Sequence, residues 1–140
     1  KNHIGNAAQK ALELANKIFT LSYISFETVL VKAGIIFQHY ERVFVASYLS
    51  RKITVGEYNI TYRKITDVIL LNRDGIEEKD NYFIASAERA FLDMVFLFKN
   101  YHFDNLTPLN WDIVRNLMKI YHKKVFERRV KGYYQIYKQT

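Results

Sequence analysis

Apolar residues recur about every 3.6 positions near both ends of this chain and about every second position in its middle. Residues 6–18 are rich in strong helix formers, and Ala7, Ala11, Leu14 and Ile18 share one predicted face. A second helix is predicted from Phe26 to about Lys32, with Ser25 as its cap and Gly34 suited to a left-handed C-terminal position. The pattern changes at Arg42. Val43, Phe44, Val45, Tyr48 and Leu49 make a β-prone, buried run. Residues 52–55 and 58–65, on either side of Gly56-Glu57, read as a hairpin. Its second strand carries Ile60 and Tyr62 on one face, Thr61 and Arg63 on the other. Residues 67–71 read as a further strand, 72–75 as a turn, 77–81 as a polar loop and 82–84 as a short strand.

Helical spacing then returns. Ser86 is a good cap, Glu88 sits in the first turn, and Ala90, Phe91, Met94, Val95 and Phe98 fill an apolar face. This helix is predicted to be the most buried. Asp93 inside it must therefore point outward or find an internal partner, and Arg89 is four positions away. Asn110 caps another helix. Beyond it Val114, Leu117, Met118, Tyr121 and Val125 form one stripe, and Phe126, Val130, Tyr133 and Tyr137 a second. The shift between them predicts a break near His122 and Lys123. The whole reads as a single α+β domain over residues 1–140: a central, mostly antiparallel sheet of four to five strands, flanked by N-terminal and C-terminal helices.

Composition narrows the chemistry. With 140 residues, 49% hydrophobic and 25% charged, the chain suits one domain with a real core. It has no cysteine, which removes disulfides, thiol nucleophiles and sulfur-ligated zinc. No apolar run approaches a membrane span. Eleven tyrosines and ten phenylalanines are read as a tyrosine-rich core and surface rather than as base-stacking groups. His3, His39, His102 and His122 never fall at metal-binding helical spacing. A nucleophile elbow and phosphate-binding glycine loops are absent. Asp67, Glu77 and Lys79 match the spacing of Mg²⁺-dependent nucleases, a minor alternative, because the latter two fall in the predicted loop. No enzyme activity and no cofactor are expected.

The formal net charge of +7 is unevenly placed. Eight of the 21 Lys and Arg lie from Arg115 onward, where Glu127 is the only acid; the rest of the chain is balanced. A basic helical face attracts phosphate backbones or an acidic partner. The candidate phosphate contacts are Lys119, Lys123, Lys124, Arg128, Arg129 and Lys131. The alternative is a protein-interaction or dimerisation module with this helix at its centre.

Three stretches carry a family resemblance: Glu13-Leu-Ala-Asn-Lys-Ile18 with Ser22-Tyr-Ile-Ser-Phe-Glu-Thr-Val-Leu30 and Gly34-Ile-Ile36; the hairpin over residues 52–65; and Ile84-Ala-Ser-Ala-Glu-Arg-Ala-Phe-Leu-Asp93. In order and spacing they resemble the C-terminal region of the AbiEi family, antitoxins and transcriptional regulators of bacterial type IV toxin–antitoxin and abortive-infection (phage-defence) systems. The resemblance spans about residues 13–98. Leu21 and Ala87 stand where the family often has proline. It implies a cytoplasmic protein in which an upstream winged helix-turn-helix reads operator DNA. The second domain then assists DNA binding or assembly and is needed to neutralise a nucleotidyltransferase-like toxin. The winged-helix part is missing here, so only the antitoxin domain is expected, with weak DNA binding and a possible homodimer.

Overall fold

Gly56, at φ +60°, opens a two-residue turn, and Asp80 and Asn81, at φ +44° and +74°, make another. Both geometries match the twist of antiparallel hairpins. The first joins β3 (Arg51–Val55) to β4 (Tyr58–Lys64), the second β5 (Ile76–Lys79) to β6 (Tyr82–Ala85). With β1 (Tyr23–Ile24) and β2 (Val43–Ser47) they form one six-stranded sheet in the order β3-β4-β2-β1-β6-β5. This computed structural model describes residues 6–140. The chain is α+β, as its patterning predicts.

The sheet is more mixed than expected. β2–β4 and β1–β6 pair in parallel, and the other three pairs are antiparallel. Two strands escape the sequence pattern. β1 has two residues, too few for alternation to register, yet it sits at the centre of the sheet, fully buried. β5 is charged because it is an exposed edge, where Glu77, Glu78 and Lys79 meet solvent. One predicted strand is instead a helical turn, α3 (Asp67–Leu70), followed by Leu71. Its apolar run has no helical or strand period to decide between them. Ile69 and Leu70 point inward, while Val68 and Leu71 are exposed.

Helices cover the sheet. α1 (Asn6–Ile18) buries Ala11, Leu12 and Ala15. Its inner face is rotated from the predicted one: Leu14 is half-buried and Ile18 exposed. Asn16 explains the rotation. It is buried and ties α1 to the turn before β1 and to β6, its Nδ2 donating to the Ser22 carbonyl (2.8 Å) and its Oδ1 accepting from the Phe83 amide. The Ala7 side chain and His3 lie outside the described residues. α2 (Phe26–Lys32) ends with Gly34 at φ +77°, where the Ile35 amide reaches back to Leu30 (2.9 Å) and that of Gly34 to Val31 (3.1 Å). That pair of bonds is a Schellman stop.

α4 (Ala87–Leu97) is the central helix, buried continuously from Arg89 to Val95. Ser86 caps it, accepting from the Arg89 amide (3.1 Å). The Glu88 carboxylate accepts from the amide of Asn110 (2.9 Å), whose own side chain caps α5 (Trp111–Leu117). A 3-10 turn (Met118–Ile120) and His122 at φ +52° break the path as predicted, and α6 (Lys124–Lys138) follows. Val125 does not continue the α5 stripe: it starts a new helix and is 54% exposed. The eleven tyrosines divide between core and surface, with four buried, six half-buried and Tyr48 exposed. Tyr23, Tyr62, Tyr82 and Tyr121 are all buried.

Candidate nucleic-acid interface

α6 follows from its two-sided composition. Phe126 and Val130 are buried on its inner side, and Tyr133 and Tyr137 pack half-buried against the core. Lys124, Arg128, Lys131 and Lys138 follow at four-, three- and seven-residue intervals on the opposite side, all exposed. At 1.5 Å per residue the row is about 21 Å long. Lys119, on the 3-10 turn, and Lys123, at the α6 N-cap, precede it in the chain and are also exposed. Among the described residues none of Lys119, Lys123, Lys124, Arg128 and Lys131 is in an ion pair. Lys138 lies over the Tyr134 ring at 5.5 Å. Arg115 is engaged, bridged to Asp112.

Arg129 departs from this set. It is half-buried, and its Nη1 donates to the Val95 carbonyl (3.1 Å) in the last turn of α4. An arginine at the negative end of a helix is favourable. Five of the six predicted cations are thus exposed, three of them in one row on α6, and the sixth helps lock α6 to α4.

Lys123 makes no side-chain cap bond, and Lys124 follows it in the first turn. Two cations at the positive end of a helix oppose the macrodipole, with Glu127 as the local counterweight.

Two ion pairs lie inside the fold, and neither reaches the surface row. In the first, Asp93 accepts from Tyr121 Oη (2.6 Å), Ser25 Oγ (2.8 Å) and Tyr23 Oη (2.9 Å). Ser25 is therefore not the side-chain cap the sequence suggests. Arg89 Nε stands 3.8 Å from Asp93, and its other nitrogens donate to the carbonyls of Ile69, Asn72 and Asp74 and to Tyr23 Oη. Gly75, at φ +79°, makes room: a Cβ there would come within 3.2 Å of Arg89 Cβ and Leu117 Cδ1. Burial pushes the Asp93 carboxyl up, against the pull of Arg89 and the three hydroxyls. Burial and the Asp93 charge push Tyr23 and Tyr121 well above the ordinary phenol.

In the second pair Arg63 grips Glu27 through two bonds, 2.6 and 3.1 Å. Its guanidinium stacks against Phe44 (4.5 Å), Phe26 and Phe98 (both 4.9 Å). Phe26 holds this position at φ +58°, a strained value for a bulky residue. Arg63→Lys keeps the charge but loses the fork and the stacking. It should cost about 1–3 kcal/mol in urea unfolding; an unchanged midpoint would show that the fork contributes nothing.

The nuclease-like residues fall on two elements, not on the loop predicted for Glu77 and Lys79. Asp67 opens α3, whereas Glu77 and Lys79 sit on the exposed edge strand β5. Among the described residues no three His, Asp or Glu gather closely enough to hold a metal ion. His39, His102 and His122 are exposed. No helix among the described residues is long and apolar enough to cross a membrane.

The fold and surface together define an α+β domain with a one-sided basic C-terminal helix. Comparison with protein-family models, curated proteins and solved structures finds no match to this chain.

Proposed function

We propose that this chain is a non-enzymatic antitoxin or transcriptional-regulator domain of a bacterial type IV toxin–antitoxin system, and that its C-terminal helix holds the phosphate backbone of DNA. The observation that carries the DNA contact is the row Lys124, Arg128 and Lys131, preceded in the chain by Lys119 and Lys123, exposed and free of carboxylate partners among the described residues. Cations so placed contribute affinity without base readout. Sequence readout would belong to an upstream winged helix, as in the family the three stretches resemble. Those stretches pack as neighbours: β1 and α2 lie against β6 and α4, and the β3–β4 hairpin joins the same sheet through β2. The functional partner in this reading is a nucleotidyltransferase-like toxin.

The test is duplex binding across a salt series, with the Lys124→Glu/Arg128→Glu/Lys131→Glu variant beside the parent. The parent should bind weakly, with log K falling by about 0.9 per phosphate contact for each tenfold rise in salt. The variant should lose at least about tenfold in affinity while melting as the parent does. Equal affinity of the two proteins would remove the DNA reading.

A second reading, a dimerisation module, draws on Val125 and Ile136, which are 54% and 57% exposed on one flank of α6. Sedimentation would separate the readings: a dimer dispersed by Val125→Lys/Ile136→Lys favours assembly through this flank.

A further inference from the structure

Gly132 occupies the middle of α6, where glycine is a poorer helix former than any residue but proline. Nothing in the fold asks for it. Its φ is not positive, and a Cβ built there meets nothing within 4 Å. Gly132 lines an open cleft of about 420 Å³ between α6 and the α4–α5 connection, and a side chain there would project into open space. That volume lies in the range of small-molecule sites.

The lining has a definite chemistry. Lys99 and Arg129 bring two cations, and His102 stands with them. Among the described residues no carboxylate lines the cleft; Asp104, 3.6 Å from His102, is held by the Phe37 amide (2.8 Å). Arg129 is fixed in place by its bond to Val95, and its Nε and Nη2 make no hydrogen bond among the described residues. The wall is aromatic: Tyr133 packs edge-on to Phe103 at 5.1 Å and is pinned by its hydroxyl, which donates to the Tyr101 carbonyl (2.6 Å). A rigid aromatic wall beside one fixed guanidinium, with the exposed Lys99 as a second cation, suits a planar ring that carries an anion.

We propose that this cleft is a nucleotide site, in which Lys99 and Arg129 hold a phosphate and the aromatic wall takes the base. It uses residues other than the exposed row of α6, so it extends the phosphate-binding reading without depending on it. A free mononucleotide and the end of a nucleic-acid strand present the same group.

The experiment is titration of the full chain with adenosine 5′-monophosphate, followed by heteronuclear NMR. Adenosine and inorganic phosphate serve as half-ligand controls, and a 5′-phosphorylated oligonucleotide as the strand. The mononucleotide should saturate with shifts centred on Lys99, Arg129 and Gly132, and each control should bind at least about tenfold more weakly. Gly132→Gln should raise the melting temperature, since glutamine is the better helix former, yet weaken the mononucleotide by about tenfold or more. Lys99→Gln, at an exposed position, should weaken it by a similar factor. The Lys124→Glu/Arg128→Glu/Lys131→Glu protein should retain mononucleotide binding even where it has lost duplex, which keeps the two proposals separable. Oligonucleotide binding at the same residues identifies a strand end; its absence with mononucleotide binding identifies a free nucleotide. No saturable shift at millimolar mononucleotide, or an affinity untouched by Gly132→Gln, overturns the site.

Discussion

Arg89→Met should destabilise the chain by about 3–5 kcal/mol in urea unfolding, a large fraction of the stability of a domain this size. Arg89 and Asp93 are both fully buried. Methionine fills most of the space but removes the guanidinium donor from three carbonyls, of Ile69, Asn72 and Asp74, of which Ile69 keeps the Asn72 amide, and leaves Asp93 without its cation. Burial already pushes the Asp93 carboxyl up, and losing Arg89 pushes it further. The sign of the pH dependence follows. A carboxyl with a raised folded-state pKa binds more protons folded than unfolded, so its contribution to stability falls as pH rises above the unfolded value. The variant should therefore be closer to the parent at about pH 4 than at about pH 8. The double variant Arg89→Met/Asp93→Leu should lose less than the two single losses added, because the buried charge is gone with its partner. A single variant within about 1 kcal/mol of the parent would refute the role assigned to the cluster.

The second large effect is alkaline unfolding. Burial pushes Tyr62, whose hydroxyl donates to the Ala15 carbonyl (2.6 Å), up to about 12. Tyr23 and Tyr121 are raised well above the ordinary value, first by burial and then by the Asp93 charge. These side chains are 0%, 1% and 3% exposed for Tyr23, Tyr62 and Tyr121. Above about pH 10 the unfolded chain loses phenolic protons that the folded chain keeps, so stability falls as pH rises. Each such tyrosine contributes about 1.4 kcal/mol per pH unit, and three together about 4 kcal/mol. Circular dichroism and tyrosinate absorbance should change together in one steep transition. Tyrosines that titrate at ordinary values before ellipticity is lost would contradict the buried network.

Local chemistry explains why much of this was legible in advance. Ser86 and Asn110 cap helices because their side chains reach the next amides, and that depends on nearby residues alone. Gly34 and the β3–β4 turn are local in the same sense. The α6 cations are legible too, since a charge that alternates with Phe126, Val130 and Tyr133 must face away from them. Ser25 has the same side-chain chemistry as Ser86, but its hydroxyl is taken by Asp93, 68 positions away. No window of sequence contains that competitor.

The chain's own order of residues determines its α+β class, most of its helices, the β3–β4 hairpin, and the concentration of positive charge from Arg115 onward, because each rests on neighbours within a few positions. Tertiary structure alone decides the rest. It makes a two-residue segment, β1, the middle of the sheet, by supplying β2 and β6 as partners. It turns residues 67–70 into a helix and residues 76–79 into an edge strand. It recruits Arg129 from the basic row by setting the Val95 carbonyl within reach. Only a folded chain brings residues 99–103 across from Gly132, because a cleft is made of distances between segments that sequence spacing does not contain.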